Sequence, residues 1–67
     1  METIKRGDLS PRQQRVIRQE EESVSVTSFS RKDWYLQPDG TLTGLSSAHE
    51  AEHARNGRPE RGWKRVV

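Results

Sequence analysis

The sequence predicts an α+β fold: a small antiparallel meander of three strands, with the C-terminal residues as a candidate fourth. One short helix is expected to pack on it, and a weak helix to precede it. Three observations lead there. A turn sequence, Pro38-Asp39-Gly40, separates two β-rich runs. A period-two run, Ser23-Val24-Ser25-Val26-Thr27, precedes them. Helix start and stop signals bracket two further segments.

Residues 1–9, Met-Glu-Thr-Ile-Lys-Arg-Gly-Asp-Leu, read as a flexible leader. Ser10-Pro11-Arg12-Gln13 is a helix start. Ser10 is the N-cap, Pro11 takes the first helical position, and Gln13 completes a capping box. The helix is expected over 10–22, with Val16 and Ile17 as its apolar contacts. It ends in Glu20, Glu21 and Glu22, the wrong sign for the negative end of the helix dipole. It is therefore expected to be frayed or to depend on a docking partner.

Residues 23–67 are expected to form the ordered domain. Residues 23–27 read as a strand with Val24 and Val26 inward. In the following hairpin, Pro38 presets φ, Asp39 bonds its local backbone and Gly40 supplies a positive φ. With Gln37 facing Thr41, Leu36 faces Leu42 and Trp34 faces Gly44. Trp34, Leu36 and Leu42 then share one face. Ser46 and Ser47 are candidate caps for a helix over 48–56, stopped by Gly57 and Pro59. Ala48, Ala51 and Ala54 fall at i, i+3 and i+6, a small-residue face suited to a sheet. The last residues, with Trp63 and Val66, suit a closing strand whose Trp63 packs on the hairpin.

Of the 67 residues, 28% are hydrophobic and 33% are charged, so the core is thin. This predicts low stability, or support from a partner or a second copy in a homodimer. With no cysteine, neither a disulfide nor a thiolate metal cluster can supplement that core. No segment has the length and apolarity of a signal peptide or membrane span. The expected location is the cytoplasm, with no membrane partner.

The charge is segregated. Residues 1–18 carry Lys5, Arg6, Arg12, Arg15 and Arg18 against Glu2 and Asp8, and residues 55–67 carry Arg55, Arg58, Arg61, Lys64 and Arg65 against Glu60. The middle is acidic. Basic ends suit phosphate. The expected nucleic-acid contacts are therefore Arg55, Arg58, Arg61, Lys64 and Arg65, joined by Arg12, Arg15 and Arg18. The alternative is an adaptor or inhibitor that binds a larger protein by a sheet edge or by its acidic middle.

His49-Glu50-Ala51-Glu52-His53 formally matches H-E-x-x-H. On a helix, both imidazoles would share a face. A catalytic zinc needs a third ligand and a cleft, and the residues after His53 offer only Glu60 as a carboxylate. The expected reading is an exposed polar helix face, with no metal site, no cofactor and no catalytic group. The function expected is thus a small non-enzymatic accessory protein.

Overall fold

The computed structural model describes residues 1–23 and 32–67. Its elements are β1 (Thr3–Ile4), α1 (Pro11–Ser23), β2 (Lys32–Leu36), β3 (Leu42–Ser46), α2 (Glu50–Arg55) and β4 (Lys64–Val66). Short 3-10 turns at Arg6–Asp8 and Ser47–His49 lead into α1 and α2. The architecture is α+β, with one four-stranded sheet in the order β1-β4-β2-β3. Val24, Val26 and Phe29 lie outside the described residues, and with them most of the strand expected over 23–27. Ser23 itself closes α1.

The sheet is mixed rather than purely antiparallel. β2 runs antiparallel to both β3 and β4, but β1 runs parallel to β4. Alternating hydrogen bonds clip β1 and its flanks to the C-terminal strand: Arg65 N donates to Glu2 O at 2.9 Å, Val67 N to Ile4 O at 2.9 Å, and Arg6 N to Val67 O at 3.0 Å. The segment read as a leader is thus part of the fold. A two-residue strand flanked by Glu2 and Lys5 has no periodicity to betray it.

The hairpin has the register expected from its turn. Trp34 pairs with Gly44 and Leu36 with Leu42. Gly40 has φ +91°, and its N–H donates to Gln37 O at 2.9 Å. Asp39 Oδ1 accepts from Thr41 N at 2.9 Å. That bond, together with one to the Thr41 side chain, holds the Asp39 carboxyl below its ordinary pKa. Gly44 is required by close approach. A Cβ there would sit 3.3 Å from two atoms of the Trp34 ring and 2.9 Å from Lys32 Cδ.

Strand alternation sorts the side chains onto two faces. Trp34, Leu36, Leu42, Val66 and Ile4 lie on one face, where Leu9 and Ile17 cover them. Tyr35, Leu45 and Trp63 belong to the other. There the Tyr35 and Trp63 rings pack with centroids 6.2 Å apart. Trp63 is buried, as its place on the hairpin predicts.

α1 is the covering helix. Its capping box forms reciprocally: Gln13 N donates to Ser10 Oγ at 3.2 Å, and Ser10 N to Gln13 Oε1 at 2.9 Å. Ile17 is only 2% exposed, whereas Val16 is 42% exposed. Adjacent helical residues diverge by about 100°, so the pair cannot share the core face. Two of the three unfavourable glutamates find cations in other segments, Glu21 with Arg6 at 2.6 Å and Glu20 with Lys32 at 3.5 Å.

α2 lies beside β3, but not through its alanines, since Ala48, Ala51 and Ala54 are all exposed. Small methyl groups on a six-residue helix offer too little apolar area to drive docking. Its C-terminal stop is as expected. Gly57 has φ +73°, Gly57 N donates to Ala54 O at 3.2 Å, and Arg58 N donates to His53 O at 2.8 Å. That is the paired pattern of a Schellman motif. Ser46 takes the N-cap position of the preceding 3-10 turn, but its hydroxyl makes no capping bond.

Candidate nucleic-acid interface

The eight cations expected to meet phosphate fall on three parts of the fold. Arg12, Arg15 and Arg18 are exposed on α1. Arg55 ends α2, and Arg58 and Arg61 follow in the connection to β4, all three exposed. Lys64 and Arg65 begin β4.

Strand geometry separates the last two. Lys64 lies opposite Leu36, on the face covered by α1, and Arg65 lies opposite Tyr35, on the other face. Each also faces a carboxylate, Lys64 with Glu2 at 3.9 Å and Arg65 with Asp33 at 3.8 Å. The C-terminal charges, contiguous in sequence, therefore do not form one patch. Exposed pairs of this kind are weak, so both side chains retain freedom to exchange partners.

The remaining six differ. Among the described residues, Arg12, Arg15, Arg18, Arg55, Arg58 and Arg61 take part in no ion pair. On α1 the reason is the docking of the helix. Ile17 enters the core, Gln13 Nε2 donates to Gly40 O at 3.0 Å, and Glu20 and Glu21 meet Lys32 and Arg6. These inward contacts set the rotation of the helix and leave Arg12 and Arg15 on its back, with Arg18 on the flank. Gln19 shares that back with Arg12 and Arg15, and Val16 borders it on the flank opposite Arg18. The i, i+3, i+4, i+7 spacing of the four was present in the sequence, but reading Val16 as a core contact hid it.

Trp63 offers no platform for stacking on a base, because its ring is buried against Tyr35. An open depression of about 440 Å³ borders it, lined in part by Glu2, Glu60 and Arg61. The mixed charges there give it no preference for an anion.

The histidine pair does not have the geometry of H-E-x-x-H on a helix. α2 begins at Glu50, so His49 lies before it, at φ −116° and ψ 25°. Its Nδ1 is 3.8 Å from Glu52 Oε2. Among the described residues, no three His, Asp or Glu side chains gather as metal ligands. No helix among them is long and apolar enough to cross a membrane. The chain matches no family model, no curated protein and no solved structure.

Proposed function

We propose that the protein is a small, non-enzymatic, cytoplasmic accessory factor that binds nucleic acid by its phosphate backbone. The contacts are Arg12, Arg15 and Arg18 on α1 and Arg55, Arg58 and Arg61 at and after the end of α2, with Lys64 and Arg65 as secondary contributors. One observation carries the reading. The fold pairs Arg6, Lys32, Lys64 and Arg65 with carboxylates, yet leaves six arginines exposed and without an ion pair among the described residues. An unpaired guanidinium is free to form charge-assisted bonds with phosphate.

The test is titration of a labelled DNA duplex across a salt series. If all six arginines meet phosphates, the log–log slope is about −5. A protein that leaves the duplex unbound at about 50 mM salt lacks this function.

A second reading has its own observation. Among the described residues β3 is at the edge of the sheet, and Leu42–Ser46 carries no charge to deter another strand. On that reading the protein is an adaptor or inhibitor of a larger protein, or pairs with a second copy, through β3. The acidic middle is the weaker docking site, because Glu20 and Glu21 already face cations. Binding that persists at high salt would favour this reading.

A further inference from the structure

We propose that α1 reads the major groove of duplex DNA, with Arg12, Arg15, Val16 and Gln19 as the residues that meet base edges. The inference rests on the nucleic-acid reading above, narrows the partner to duplex DNA, and assigns base contact to one face of one helix.

The four residues form a single stripe, because positions i, i+3, i+4 and i+7 line one side of a helix. The stripe is centred opposite Ile17, the most buried side chain of the molecule among the described residues. It cannot rotate away. Gln13 is bonded to the hairpin at Gly40, Ile17 is in the core, and Glu20 and Glu21 are held to Lys32 and Arg6.

Its chemistry is that of base recognition rather than of phosphate contact alone. Arginine pairs with guanine O6 and N7, glutamine with adenine N6 and N7, and an apolar side chain with the thymine methyl. The stripe supplies two of the first kind, Arg12 and Arg15, and one of each of the others, Gln19 and Val16. Phosphate contact explains the arginines but leaves Val16, 42% exposed, and Gln19 without a role. No acidic residue falls between Pro11 and Gln19, and Glu22, one turn further on, ends the basic stretch.

The dimensions agree. The major groove is about 12 Å wide and admits one helix. From Arg12 to Gln19 the helix rises about 10 Å, the height of about three base pairs at 3.4 Å each. The molecule is a slab only 16 Å through its shortest axis, with α1 as an outer layer on one face. Arg12, Arg15, Val16 and Gln19 are all exposed. Arg18, on the flank, is placed to meet the phosphates that border the groove.

The experiment is selection of bound sequences from a pool of DNA duplexes with a randomised centre, followed by titration of the selected duplex. The expected result is enrichment of about three adjacent base pairs containing guanine. Arg15→Ala should weaken the selected duplex about five- to a hundredfold and relax preference at one position. Arg15→Lys is the discriminating variant. It keeps the charge but loses the two-pronged contact with guanine, so it should fail to restore the preference. Arg15 is exposed, and unchanged melting curves confirm that both variants are folded.

If the wild type binds duplex with a steep salt slope, yet enriches no sequence and is matched by Arg15→Lys, the groove assignment is wrong and phosphate binding stands. If the wild type binds no duplex, both fall.

Discussion

Gln13 joins the start of α1 to the tip of the hairpin. Its Nε2 donates to the Gly40 carbonyl at 3.0 Å while its Oε1 accepts from Ser10 N–H at 2.9 Å. One side chain thus caps a helix and fixes where that helix meets the sheet. Gln13→Ala should lose both and cost about 1–2 kcal/mol in urea unfolding. Gln13→Glu separates the two roles. It keeps an acceptor for Ser10 but places a carboxylate against a carbonyl, so it should remain below wild type despite its favourable charge at a helix start.

The Trp34–Gly44 contact should be the least tolerant point of the core. Trp34→Ala should cost about 3–5 kcal/mol, comparable with the whole stability of so small a domain. Gly44→Ala should cost about 1–3 kcal/mol, because the new methyl would meet the indole at 3.3 Å. Lys32, whose Cδ is nearer still, is flexible and can move. A Gly44→Ala melting curve equal to wild type would refute this packing.

Acid should weaken the hairpin through Asp39. Its carboxyl is held below its ordinary pKa by the Thr41 N–H and side chain, so the folded state favours the ionised form. That contribution is complete above the ordinary carboxylate range and fades as pH falls through the lowered native value. Melting curves from about pH 6 to about pH 2 should show a smaller acid loss for Asp39→Asn, which cannot titrate. Identical pH profiles would sink the idea.

Arg58→Ala combined with Arg61→Ala should flatten the salt slope of DNA binding by about two units. The fold should survive, since both side chains are exposed and lie outside helix and strand. The Lys64→Ala and Arg65→Ala pair should flatten it less, because those residues sit on opposite faces of the sheet and each faces a carboxylate. Equal effects would show that the ion pairs open freely on binding.

Zinc should bind weakly at most. His49 precedes α2, and no third ligand joins the pair among the described residues. Stoichiometric zinc retained through purification would overturn this.

Much of the candidate interface was legible as composition and little of it as geometry. The eight cations are countable in the chain. Which of them are free depends on Glu2 and Asp33, which meet Lys64 and Arg65 from other strands or their flanks. Sequence proximity also misled. Lys64 and Arg65 are neighbours in the chain and point to opposite faces, because a strand alternates. Val16 and Ile17 separate for the corresponding reason on a helix.

The sequence by itself determined what depends on a few adjacent residues. The Pro38-Asp39-Gly40 turn, the facing of Trp34 with Gly44, the Ser10–Gln13 capping box and the Gly57 stop are matters of local φ, ψ and short-range hydrogen bonds. Only the tertiary structure decided that β1 lies parallel to β4, that Leu9 and Ile17 complete the core, and that α1 presents its arginines outward. A two-residue strand and a helix with one buried apolar side chain carry too weak a periodic signal to announce their places. Their positions follow from which distant segment can satisfy their backbone groups and cover the open face of the sheet.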